Sequence, residues 1–181
     1  PPPSELVFSG TADVRLGGEV RRIVALGPSA LAAHDGYLYV GYRTSSTVFR
    51  FALENDGSLV EPKIGELIAV FEPWSPEENR SANLIDLTFD SKGRLFVSCA
   101  QEGRIWNVGV PDPESVFDGV DHAQEPTWNR PYVDLKQLTS NPRARVGNIA
   151  FDEEDRLYVC SGNYDSGTAL AGVIYRAVFE R

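Results

Sequence analysis

One short pattern occurs three times in this chain, and that recurrence constrains the fold more than any other feature. Asp35-Gly36-Tyr37-Leu38-Tyr39-Val40, Lys92-Gly93-Arg94-Leu95-Phe96-Val97 and Glu154-Asp155-Arg156-Leu157-Tyr158-Val159 each join a turn to an apolar run, at spacings of 57 and then 62 residues. The second and third copies are preceded by Leu87-Thr88-Phe89-Asp90 and Ile149-Ala150-Phe151-Asp152. All three are followed by a further apolar stretch: Val48-Phe49-Arg50-Phe51, Ile105-Trp106-Asn107-Val108 and Ile174-Tyr175-Arg176-Ala177. The last arrives late because Gly162-Asn163-Tyr164-Asp165-Ser166-Gly167 intervenes. Self-similarity at a fixed period of this length marks a repeat architecture, in which each unit buries its apolar face only against a neighbour.

Each copy reads as strand, tight turn, strand, loop, strand. The runs Leu-Phe-Val and Leu-Tyr-Val are too continuous for a strand with one wet face and predict sheets covered on both sides. In the first copy Asn55-Asp56-Gly57 is a hairpin signal, which predicts a fourth strand at Leu59-Val60. Helix is confined to a turn at most, within Glu77–Ile85 and Asp134–Leu138. Short antiparallel strands grouped in fours at a period of about 60 residues predict an all-β fold made of β-propeller blades, a half or fragment of a six-bladed ring. A β-sandwich also uses short strands, but has no reason to repeat one unit three times. The expected division within a single propeller segment, 1–181, is a blade over 29–82, a second over 83–143 and a partial blade over 144–181. Residues 1–28 supply N-terminal strands that complete a neighbouring blade.

Charge narrows the partners. The 26 acidic against 17 basic residues give a net charge of −9, which repels nucleic-acid phosphates and anionic lipid surfaces. No apolar stretch approaches the length of a membrane-spanning helix. The chain opens Pro1-Pro2-Pro3-Ser4-Glu5 and contains no Met, which suggests a removed leader or a segment of something longer, and an extracytoplasmic (periplasmic or secreted) location. Cys99 and Cys160 follow equivalent strands but differ by one position in register, so they point to opposite sides of their sheets, and free buried thiols are expected.

The segment Asn83 to Val97, and Val146-Gly147-Asn148-Ile149-Ala150-Phe151-Asp152 with Arg156-Leu157-Tyr158-Val159, resemble the NHL repeat and the blades of the gluconolactonase/regucalcin family. The resemblance implies six blades in the complete ring. It also implies a divalent metal such as Ca²⁺ at the ring axis, held by carboxylate and amide side chains at the blade strand starts. The positions that match the family's axial Asn are Ile85 and Gly147, whose side chains offer no ligand. One residue later stand Asp86 and Asn148, in matching register, with Asn83 nearby; these are the candidate metal residues. The alternative is that they bond backbone groups at the strand starts.

No nucleophile with a positioned base can be named, so no catalytic residues are assigned. His34, in the turn Ala33-His34-Asp35-Gly36, is expected to be exposed, and His122 has no second histidine at ligand spacing. Asn163, Asp165 and Ser166 read as a Gly-rich turn or a minor cation or partner site. Trp106 sits on a repeat strand and is expected in the core. Trp74 and Trp128 lie in Pro-bounded loops and are candidate partner-binding anchors. The leading expectation is a non-catalytic propeller module for protein–protein interaction or assembly, completed by a protein partner or a second copy and needing no cofactor. The alternatives are half of a metal-dependent lactonase or related hydrolase, and a small-molecule-binding propeller.

Overall fold

The computed structural model describes residues 11–16, 18–24, 27–71, 81–119, 131–162 and 172–177. Among the described residues, fourteen strands and one helical turn run in chain order. The first sheet holds β1 (Thr11–Leu16), β2 (Glu19–Val24), β3 (Pro28–His34), β4 (Tyr37–Tyr42), β5 (Thr47–Ala52) and β6 (Ile64–Val70). The second holds β7 (Leu84–Phe89), β8 (Leu95–Cys99), β9 (Arg104–Gly109) and, after the short β10 (Phe117–Asp118), β11 (Val133–Asp134), which leads into α1 (Leu135–Leu138). The third holds β12 (Arg145–Phe151), β13 (Leu157–Gly162) and β14 (Val173–Arg176).

The orders β3-β4-β5-β6, β7-β8-β9-β11 and β12-β13-β14 are antiparallel meanders, so the three sequence copies become three equivalent blades. Their first strands, β3, β7 and β12, line up against one another from sheet to sheet. Strand alternation then assigns each residue to one neighbour. On β8, Leu95, Val97 and Cys99 join the core shared with the first blade, while Phe96 joins the core shared with the third. That is the physical basis of the unbroken apolar run in each copy. Trp106 is fully buried between the first two blades, as its strand position predicts.

The turns differ in a way the sequence dictates. Asp35 and Gly36 both have positive φ (47° and 75°), the requirement of a two-residue hairpin whose twist matches its strands. In the second and third blades the link is longer and built on an aspartate. The Asp90 carboxylate accepts from the N–H groups of Lys92 (3.0 Å) and Arg94 (2.9 Å) and pairs with the Arg94 guanidinium. Asp152 does the same for Glu154 (3.1 Å) and Arg156 (2.9 Å). The positive φ sits at Gly93 (72°) in one turn and at Asp155 (58°) in the other.

Four expectations change. The fourth strand of the first blade is β6, not Leu59-Val60. The Asp-Gly turn does form, but it closes only a single bridge, Leu53 to Leu59, because Pro62 and Lys63 intervene before an extended run long enough to pair with β5. Within Glu77–Ile85, residues 77–80 lie outside the described residues, and Leu84 and Ile85 belong to strand rather than helical turn, Leu84 pairing with Cys99 and Ile85 sitting at a register shift. His34 is half-buried rather than exposed: its ring stacks on Phe89 of the second blade at 4.2 Å, which removes it from water. Both cysteines are free, but only Cys99 is buried. Burial pushes the Cys99 thiol well above its ordinary range, whereas Cys160 is exposed.

The N-terminal hairpin β1–β2 runs along the outer edge of the first blade, with β1 parallel to β6. Its Ala12 and Val14 pack with Val40, Tyr42, Phe49 and Phe51, on the face of that blade turned away from the second. Further along the same edge, β10 also pairs in parallel with β6.

Candidate functional site

The strand starts of β3, β7 and β12 form one end of the fold, and each carries a β-bulge at the same place. The registers slip between Pro28 and Ala30, between Leu84 and Asp86, and between Val146 and Ile149. A bulge inserts an unpaired residue and re-aims the side chains beside it, which is why bulges gather at sites. Here the bulges fall at Ser29, at Ile85 and at Gly147-Asn148, which together face one residue of β13.

The structure brings Asp86 and Asn148 together across the boundary between the second and third blades. One Asp86 oxygen accepts from its neighbour Leu87 N–H at 2.9 Å. The other accepts from Ile149 N–H at 2.9 Å and from the Asn148 side-chain amide at 3.3 Å. A carboxylate offers about four lone-pair sites, and three of them face these donors. Ile149 is the first registered residue after the bulge at Gly147-Asn148, and its N–H points at Asp86.

Asn83, the third polar group singled out in the sequence, goes elsewhere. It is buried with positive φ (61°), and its side-chain oxygen accepts from the Arg43 Nε. Its carbonyl accepts from Ala100 N–H at 3.0 Å. Asn83 therefore pins the entry of β7 to the Arg43 turn of the first blade rather than joining Asp86.

Hydroxyl groups complete the links between blades. Ser29 donates to the Leu84 carbonyl at 2.8 Å, Ser98 to the Gly147 carbonyl at 2.8 Å, and Ser46 accepts from Ala82 N–H at 3.0 Å. At the opposite end, the Ser91 hydroxyl and its N–H donate to Asp155, joining the second turn to the third. These bonds hold the Asp155 carboxyl below its ordinary value. None of these partners is legible from local sequence. A signal did exist for the aspartate turns: Asp followed four residues later by Arg, at 90/94 and again at 152/156.

Among the described residues, no three His, Cys, Asp or Glu side chains gather as a metal centre. The side chains of Asp86 and Asn148 supply at most three oxygens, and Ca²⁺ takes six to eight. Trp74, Trp128, His122, Asn163, Asp165 and Ser166 lie outside the described residues. Among the described residues no helix is long and apolar enough to cross a membrane.

Neither a protein-family model nor a curated relative matches the chain. Among solved structures, luciferin-regenerating enzyme is similar at a TM-score of 0.53 and 19% identity, over 87% of this chain and 47% of that one. Virginiamycin B lyase from Staphylococcus aureus is similar at a TM-score of 0.43 and 12% identity, over 86% of this chain and 42% of that one. The chain thus spans about half the length of these two proteins. The likeness to luciferin-regenerating enzyme shows the fold: the chain is built of β-propeller blades.

Proposed function

We propose that the chain is a non-catalytic β-propeller module of NHL or gluconolactonase-like type that acts by protein–protein contact, as an assembly element. The observation that carries this reading is the use of Asp86. Its carboxylate is engaged by Leu87 N–H, Ile149 N–H and Asn148, so the best candidate for axial chemistry serves as a lock between blades. The net charge of −9 suits a basic partner surface. Trp74 and Trp128 are the proposed anchors for that partner, and an extracytoplasmic setting is part of the same reading.

A second reading, a metal-dependent hydrolase whose site is finished by further blades, is favoured by one observation. Asp86 and Asn148 meet at the strand starts, where oxygen ligands from successive blades would converge. Calorimetric titration with Ca²⁺, run beside a lactone-hydrolysis assay, separates the two. The module reading expects no saturable Ca²⁺ isotherm and no hydrolysis above the uncatalysed rate. Saturable binding that is abolished in Asp86→Asn, with turnover, would overturn it and establish the enzyme.

A further inference from the structure

The two ends of the blade array expose the two halves of an interface that the chain already makes twice. In each of those interfaces the earlier blade offers the third-strand residue Val48 or Ile105, both 0% exposed, yet their equivalent in the third blade, Ile174, is 69% exposed. Beside Ile174 the same face carries Cys160, exposed, and Tyr158, half-buried, in the places of the buried Ser98 and Phe96. The later blade in each interface offers a first-strand residue, Leu87 at 3% or Ile149 at 5%. The equivalent in the first blade, Leu31, is 61% exposed.

We infer that a second copy of this chain docks head to tail, the bare face of its third blade against the Leu31 side of the first blade, and the reverse at the other end. The inference rests on the reading of the chain as an assembly module. Among the described residues, the exposed faces at the two ends are equivalent, position by position, to faces that are buried one blade away. A two-fold pairing of three blades with three covers both bare faces with one repeated contact and closes the assembly. The β1–β2 hairpin already occupies the outer half of the first blade's far face, through Ala12 and Val14 on Val40 and Phe49. The contact with the second copy is therefore confined to β3 and the turn beside it. Of the polar elements of the existing joints, Asn148 stands on the third blade where Asp86 stands on the second.

Sedimentation equilibrium of the purified chain tests this. The wild type is expected to associate to twice its 19.9 kDa mass and to dissociate on dilution. Ile174→Glu and Leu31→Glu each place a charge in both interfaces of the pair and are expected to weaken association about tenfold or more. Both side chains are exposed in the single chain, so folding survives, and circular dichroism checks it. An equimolar mixture of the two variants regains association, because one of its two interfaces then carries neither substitution. A wild type that stays monomeric overturns the inference, as does a mixture no tighter than either variant alone. Ready formation of a Cys160–Cys160 disulfide between copies also overturns it, since that requires the third blades to pair with each other. The Ca²⁺ titration above is read independently of association, so this inference can fail while the module reading stands.

Discussion

Replacing Asp86 by alanine removes three hydrogen bonds at the joint between the second and third blades. The cost follows from what is left behind. Ile149 is buried, and its N–H points at the Asp86 carboxylate across the blade boundary. A buried donor left without an acceptor costs about 1–3 kcal/mol. Leu87 N–H, beside the bulge in β7, loses its acceptor as well. Relief of a partly desolvated carboxylate offsets some of this, so a net loss of about 2 kcal/mol is expected. Asp86→Asn keeps an oxygen in the same position and should lose about half as much or less. Urea unfolding followed by far-ultraviolet circular dichroism measures both, the midpoint moving at constant slope. Hydrogen exchange supplies a local readout: the Ile149 amide should lose protection in the alanine variant before the β8–β9 amides do. An alanine variant within about 0.5 kcal/mol of wild type, or an asparagine variant as damaged as alanine, would refute the assignment of Asp86 as the lock.

Two further outcomes follow from the same joints. A Cβ on Gly41 would lie 2.5 Å from Leu84 Cδ2 and 3.0 Å from Leu87 Cδ2, so Gly41→Val should destabilise by about 1–3 kcal/mol through overpacking between the first two blades, measurable as a lowered urea midpoint. Asp155 is held below its ordinary carboxyl value of 3.8 by the Ser91 hydroxyl and N–H, so its stabilisation is complete above that value and is lost as the pH falls through the lower folded-state value. Ser91→Ala should therefore raise the Asp155 carboxyl towards its ordinary value and shrink the gap between stability at pH 7 and at pH 3; a nuclear magnetic resonance titration that leaves Asp155 unmoved would refute the contact.

Local chemistry made the blades legible, and long-range geometry hid the joints between them. Strand positions were visible because Leu95-Phe96-Val97 and Leu157-Tyr158-Val159 carry the same turn-then-apolar pattern, and Asp134–Leu138 does hold its helical turn. The burial of Trp106 followed from its place on a repeat strand. By contrast, Asp86 and Ile149 are 63 residues apart and meet beside the bulge in β12. A bulge needs one extra residue and leaves no mark in an apolar pattern. The placement of β1 and β10 on one edge of β6 was equally silent, since short parallel pairings have no signature within either segment. The setting of His34 is hidden for a related reason: a polar ring in a turn reads as wet until the neighbouring blade brings Phe89 beneath it.

The hairpin beside β6 also bears on how the protein behaves when crowded. An outermost strand with free amides and carbonyls is a template for recruiting other chains into filaments. Here that role passes from β6, rich in Ile, Leu and Val, to β2, where Arg22 is paired with Asp13 and Arg21 with Glu19. An approaching strand meets a fence of ion pairs instead of an apolar ribbon, so this flank resists sideways growth.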